Sequence, residues 1–348
     1  LTTENYKLPV NNITLSLFGN RIQNKDWRLS VKIDELQTAN NFWPASKHQL
    51  IIEKDSNDNN QYDAYFSYLN LEETLPFILA SNIIPDSIKD VLEQQTIEGE
   101  LIDLIINYQP DSKENSSVQF KTAFNNLAFI SADKNHSISG LKGSLATNNE
   151  NLKIQIDSSA PKINVGSLYE APLSFSDLNA NLELINNETT ELIIHNLNIT
   201  SIDLSISSSG KIRFDKKSPF IDMVMHVDET DIENIPTYLP KQTRSELRGW
   251  FNNALAGGKF LSGDLLFHGY LNDYPFNNAE GNFKTLINIE NTTLEYNPNW
   301  PAIDNFTAEI ILNNDDLTIL SRSGYIFDAK IDDLSGEIKN LSKGNHLL

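Results

Sequence analysis

Residues 202–214 read IDLSISSSGKIRF. In an extended chain Ile202, Leu204 and Ile206 share one side, and Ser201, Asp203 and Ser205 the other, because successive strand side chains point to opposite faces. The same alternation recurs in LKIQID (Leu152, Ile154, Ile156), VQFKTAF (Val118, Phe120), YDAYFSYL (Tyr62, Ala64, Phe66, Tyr68) and IDMVMHV (Ile221, Met223, Met225, Val227). KDSNDNNQ, DSKENSS, TNNEN and INNETTE separate these runs. Their Asn, Asp and Ser side chains bond to nearby backbone and favour turns. The pattern predicts about twenty short strands and a mainly β chain.

Two stretches carry helical spacing instead. PDSIKDVLEQQ follows Pro85, with a Ser87-x-x-Asp90 capping pattern and Ile88, Val91, Leu92 and Gln95 on one side. PKQTRSELRGWFNNALAGG begins at Pro240 with a Thr243-x-x-Glu246 capping box. It places Leu247, Trp250, Phe251, Ala254 and Leu255 together and stops at Gly257-Gly258. Trp43-Pro44-Ala45 and Trp300-Pro301-Ala302 each precede an apolar-rich run. Together these paired features predict an internal repeat with two short amphipathic helices. The expected segments are 1–84, 85–239 (first helix) and 240–348 (second helix), in one continuous elongated body. So many strands fit either two closed sandwiches or one long curled antiparallel sheet, and composition alone favours sandwiches.

The chain has 348 residues, 39% of them hydrophobic, enough for a real core. A net charge of -20 leaves no basic stripe for nucleic acid and no cationic patch for anionic lipid headgroups. Absence of cysteine excludes disulfides, thiolate catalysis and zinc–thiolate sites. No apolar run is long enough for a membrane-spanning helix. The opening LTTENYKLPV has neither an initiator Met nor a signal-peptide pattern and reads as an interior piece of a longer protein. His48, His136, His195, His226, His268 and His346 are scattered, without metal-ligand spacing. DETDIE and NNDD lack the central Gly and spacing of a calcium loop. No metal, cofactor or catalytic constellation is expected. Trp250 reads as a core anchor against the sheet.

Residues 239–301 contain an ordered set of landmarks: Leu239-Pro240, Trp250, Ala254-Leu255, Gly257-Gly258, Gly269, Pro275-Phe276, Gly281-Asn282-Phe283, Tyr296 and Trp300-Pro301. This set resembles the AsmA-like superfamily of Gram-negative bacteria, specifically its YhdP branch. The earlier stretch ISGLKGSLATNNENLKIQID, running on to LYEAPLSFSDLNANLEL, is similar to the same branch more loosely. The resemblance implies a repeating β-groove of the bridge-type lipid carriers, in which the long sheet displaces the sandwiches. It also implies a periplasmic segment of a protein anchored in the inner membrane by a part outside this sequence. The implied role is non-catalytic movement of glycerophospholipid from inner to outer membrane, with phospholipid acyl chains as ligand and envelope proteins as further partners. The alternative is a structural or assembly protein of the envelope that binds outer-membrane biogenesis partners.

Under the groove reading, the strand-face residues Phe66, Phe120, Leu152, Ile154, Ile156, Ile202, Leu204, Ile206, Met223 and Met225 are the candidates for lipid contact. Trp43, Pro44, Pro240, Trp250, Gly258, Pro275, Phe276, Gly281, Phe283, Trp300 and Pro301 are expected to be structural joints.

Overall fold

The computed structural model describes residues 8–22, 26–54, 59–80, 89, 92–110, 117–148, 151–166, 168–169, 173–186, 188–239, 241, 254–276, 280–295 and 299–341. The chain divides into two compact units, Leu1–Asn164 and Val165–Leu348. In the first, β1 (Val10–Ile22), β2 (Asp26–Thr38), β3 (Phe42–Trp43), β4 (Ser46–Lys54) and β5 (Asn60–Asn70) precede the helix α1 (Leu71–Leu79). Next come β6 (Gln95–Gln109), β7 (Ser117–Ser131), β8 (His136–Asn148) and β9 (Asn151–Ser159), with a short β10 (Lys162–Val165) at the junction. The ladder is antiparallel throughout: β1–β2, β2–β4, β4–β5, β5–β6, β6–β7, β7–β8 and β8–β9.

The second unit begins with β11 (Leu173–Ser174), β12 (Asp177–Asn186), β13 (Thr190–Thr200), β14 (Ser205–Phe214), β15 (Pro219–Val227) and β16 (Thr230–Asp231). A 3-10 helix η1 (Ile232–Tyr238) follows, then β17 (Leu255–Ala256), β18 (Lys259–Tyr270) and a 3-10 turn η2 (Leu271–Asp273). The unit ends with β19 (Asn282–Leu294), β20 (Ile303–Asn313), β21 (Asp316–Ile326), β22 (Ala329–Ile331) and β23 (Ser335–Ile338). Its antiparallel ladder runs β12–β13–β14–β15–β18–β19–β20–β21.

In neither unit does a described pairing join the first strand to the last. Apart from α1, η1 and η2, the described elements are strands hydrogen-bonded to ladder neighbours, and the described strands form no separate second sheet. The closed sandwich that composition favours is therefore not the arrangement. A mainly β, open antiparallel sheet is.

The strands bend at bulges, where an extra residue on one strand increases local twist. Register shifts at Ile102/Ile105 and Phe124/Leu127 flank Asp103 and Asn126, with φ of 52° and 50°. Shifts at Ile289/Thr292 and Asp304/Thr307 flank Asn291 and Asn305, with φ of 55° and 47°. Asn and Asp tolerate this left-handed region better than other side chains with a Cβ. The Asn-rich composition thus supplies bends inside strands as well as turns between them.

Several expectations need correction. LPFIL (75–79), outside both stretches expected to be helical, lies inside α1. The Asn70 side chain accepts the Glu73 amide at 3.1 Å, and Glu72 and Glu73 place negative charge in the first turn, so the helix starts there. The helix expected at 85–95 lies largely outside the described residues, as do Pro240, Trp250 and most of the helix expected after Pro240. Leu255, assigned to that helix, instead pairs with Leu294 as strand β17 and is buried.

The two Trp-Pro-Ala sites also differ. Trp43 is 4% exposed, and its indole N–H donates to Glu73 at 2.5 Å. The other carboxylate oxygen of the buried Glu73 accepts the Thr38 hydroxyl at 2.5 Å and the Asn41 amide at 3.0 Å, so α1 is tied to the sheet through one satisfied carboxylate. Trp300 is 62% exposed in the connection before β20. Ile303, three residues later, packs in a core with Ile289, Leu294 and Phe306. Pro44 is exposed and Pro301 half-buried.

Replacing Asn305 with Val should destabilise the protein by about 1–2 kcal/mol, because a β-branched residue resists the left-handed backbone, while Asn305→Gly should be nearly neutral. Thermal melts of the two variants check this. Trp43→Phe should cost about 1–3 kcal/mol by leaving a buried carboxylate oxygen short of its donor.

Candidate functional site

Register decides which side chains line up across strands. In the first unit Leu29, Leu50, Ala64, Ile106, Phe120, Thr147 and Leu152 follow one another from β2 to β9. Val31, His48, Phe66 and Leu104 form the next row, and Leu145 pairs with Ile154 further on. Leu101, Phe124, Gly143 and Ile156 form another. On β1, Leu15 and Leu17 pair with Ile33 and Val31 and extend this surface, 48% and 68% exposed.

The second unit repeats the arrangement. Leu184, Leu192, Ile212 and Ile221 form one row, and Leu182, Ile194, Gly210, Met223, Phe267 and Phe283 the next. Ala180, Leu197, Ser208, Met225 and Leu265 follow, then Leu178, Ile199, Ile206 and Val227.

Most of these apolar side chains are half-buried. Neighbours in the row shield each other, and the described strands add no second sheet over them. Phe124, Leu178, Ala180 and Ile194 within the rows are buried, and each unit also has a buried cluster along one margin. There Trp43 packs with Ile33 and Leu36 while α1 lies against β5 and β6, and Ile232, Ala254 and Leu255 pack on Ile289, Leu294 and Phe306.

The opposite face is more polar, though it exposes Val224 and Leu266. Cross-strand pairs His226–Asp264 at 2.7 Å, His268–Asp222 at 3.0 Å and His195–Glu183 at 3.1 Å lie there. The Asp264 carboxylate holds the His226 imidazole above its ordinary pKa. Among the described residues no group of three or more His, Cys, Asp or Glu is placed to hold a metal ion, and no helix is long and apolar enough to cross a membrane.

Of the ten strand-face candidates, Phe66, Phe120, Leu152, Ile154, Ile156, Ile206, Met223 and Met225 stand half-buried on the apolar faces. Phe120 and Leu152 share one row, while Met223 and Met225 stand in adjacent rows. Ile202 and Leu204 do not belong to them. Ser201 folds its hydroxyl under the chain, accepting the Leu204 amide at 3.0 Å, and so makes a turn where alternation predicted strand. Ile202 points fully into solvent at 101% exposure, and Leu204 is buried under that turn at 6%. β14 starts only at Ser205.

Leu50, Ile106, Leu182, Leu192 and Leu265 belong to the faces and escaped sequence reading. Runs such as QLIIE and DLLFH put apolar residues at consecutive positions, which hides the alternation. Among the expected joints, Phe276 is buried and has a left-handed φ of 59°. Gly281 lies beneath its ring, and Phe283 stands on the apolar face. Gly258, at φ 80°, turns the chain into β18 where a Cβ would meet the Glu290 and Asn291 backbone. Pro275 follows Tyr274 through a cis peptide.

His48 is the polar intruder on the first face. Burial holds its imidazole below the ordinary pKa, its Nδ1 has no partner, and Nε2 is 3.2 Å from the Ser46 hydroxyl. Folding therefore disfavours its proton. The stability due to neutral His48 is present above the unfolded-state pKa of about 6.5 and is lost as pH falls towards the depressed folded value. The protein should melt at lower temperature at pH 5 than at pH 7.5, and His48→Phe should shrink that difference.

The whole chain matches a known family. The family described as YhdP protein matches residues 2–348. The Intermembrane phospholipid transporter YhdP of Escherichia coli (strain K12) is 21% identical over 360 residues, covering 99% of this chain and 28% of the relative. The chain thus spans under a third of that relative's length. No solved structure matches it.

Proposed function

This chain belongs to the YhdP family, and we propose that it is one segment of a conduit whose apolar sheet faces carry glycerophospholipid acyl chains through the periplasm, between the inner and outer membranes. The observation that carries this reading is the register-continuous apolar face, half-buried in both units and stacked against no second sheet. A relative named as an intermembrane phospholipid transporter supports the same class of cargo.

The energetics fit. Each methylene left in water costs about 0.8 kcal/mol, so an acyl chain of common length carries on the order of 10 kcal/mol of exposure. A floor of Leu, Ile, Val, Met and Phe removes most of that cost. Because the rows repeat from strand to strand, the gain is similar at each position, and a chain shifts by one strand without leaving a deep well. The charged headgroup stays at the open side, where it keeps its hydration. No bond is made or broken, so the segment acts without catalytic residues. An inner-membrane anchor, envelope protein partners and an inner-to-outer direction belong to the whole protein in this proposal.

Purified protein should carry phospholipid detectable by mass spectrometry of the intact complex or its organic extract. Met223→Asp, on the half-buried floor, should keep a cooperative melt while losing most of that lipid. Leu204→Asp should instead cost about 3 kcal/mol or more by burying an unpaired charge. Protein that is free of lipid after isolation and after incubation with phospholipid vesicles would sink the conduit reading.

A further inference from the structure

The apolar floor of the second unit is not equally wide on every strand. On β15, Ile221, Met223, Met225 and Val227 are all half-buried, so the accessible floor runs six residues, about 20 Å at roughly 3.3 Å per residue. On the adjacent β18 the same face carries Gly263, Leu265, Phe267 and Gly269, paired with Val227, Met225, Met223 and Ile221. Both glycines are covered. The ring of Phe260, 4% exposed, lies over Gly263, where a Cβ would sit 2.6 Å from it. From the other margin the ring of Phe276, 3% exposed, lies over Gly269, again 2.6 Å from a would-be Cβ. Leu265 and Phe267 alone remain half-buried between these rings, a span of about 7 Å on the same rise.

The Phe276 wall is built rather than incidental. The chain leaves β18 through η2, and the Phe276 amide donates to the Asp273 carbonyl at 2.8 Å. The left-handed backbone of Phe276 aims its ring back over the sheet, a conformation that costs a bulky residue energy and persists only where packing holds it. Phe267 and Tyr274 supply that packing: Phe276 meets them edge-on at 5.3 Å and 6.0 Å between centroids. Tyr274 lies against Phe267 at 6.2 Å and meets Phe283 edge-on at 5.2 Å. Tyr274 is 38% exposed, so it forms the accessible lip of the cluster.

Resting on the conduit reading, we propose that β18 is an aromatic waist in the floor. Phe260 and Phe276 are its walls, Tyr274 its lip, and together they determine how bulky an acyl chain the floor accepts. Straight chains fit along Leu265 and Phe267; a chain bearing a ring meets the walls.

The test uses the whole 348-residue protein. It is incubated with vesicles containing equal amounts of two phosphatidylethanolamines, one with straight saturated chains and one with a pyrene-bearing chain, then re-isolated and its lipid quantified by mass spectrometry. Wild type should favour the straight-chain lipid. Tyr274→Ala and Phe276→Leu should raise the pyrene-to-straight ratio by about tenfold, the scale on which an apolar pocket discriminates by size. Ile202→Ala, fully exposed and off the apolar faces, should leave the ratio unchanged. Because Tyr274 is partly exposed, Tyr274→Ala tests the waist even if Phe276→Leu weakens the fold. A wild type that takes both lipids equally, or an unchanged ratio in Tyr274→Ala with a wild-type melt, overturns the waist and leaves the conduit standing. A wild type that takes neither lipid overturns both.

Discussion

Everything in this protein depends on strand register. A side-chain period of two means that a slip of one residue moves an entire apolar set to the opposite face. Here the bulges are the danger, since each inserts a residue and inverts the parity of one strand against its neighbour. The structure keeps parity by bulging adjacent strands together. β6 shifts at Ile102/Ile105 and β7 at Phe124/Leu127; β19 shifts at Ile289/Thr292 and β20 at Asp304/Thr307. Leu104 and Leu101 thus stay on the face of Phe66 and Phe124, and Phe306 and Ala308 stay beneath Ile289.

The same bulges explain why an open sheet can persist. A flat ladder with one bare apolar face would be an aggregation hazard. Bending the strands folds one margin onto α1 or η1, so those ends gain a true core while the rest remains half-covered. The polar back, with its cross-strand histidine–carboxylate pairs and the share of the -20 charge it carries, gives each unit a solvated side and discourages stacking.

The sequence makes the fold class and much of the face legible, because alternation is a direct image of strand geometry. Met223, Met225, Leu152, Ile154 and Ile156 stand where period two places them. Legibility fails where a local polar bond competes with the strand. One serine hydroxyl beneath the Leu204 amide converts an apparent run of alternation into a turn, leaving Ile202 in solvent. Asn70, an unremarkable Asn in an Asn-rich chain, starts a helix because its side chain accepts the backbone amide three residues on. The identical tripeptides Trp43-Pro44-Ala45 and Trp300-Pro301-Ala302 diverge for a similar reason: Trp43 has a buried carboxylate within reach of its indole, and Trp300 stands exposed in its connection. Bulge positions are the least legible feature. An Asn within a strand run looks like a weak strand residue, and only the paired register reveals it as a bend.

On the proposed reading, rows of similar apolar character from strand to strand would cover alkyl chains to a similar degree over most of the floor. Free-energy gain on covering a chain is nearly the same one strand along, so such a surface sets no preferred direction. Direction then depends on what is loaded and removed at the ends of the path, and the chain spans under a third of its relative's length. On the proposed reading, the segment itself controls admission and friction. His48, whose Nδ1 lacks a partner, and the aromatic narrowing at β18 are two places where the floor departs from uniform hydrocarbon. A polar intruder raises the local energy of a passing chain through poorer contact, whereas rings lying over glycines reduce the room for it. Both act on rate and selectivity, and neither supplies a driving force. For the proposed conduit, the side chains that matter most are those that interrupt an otherwise even surface.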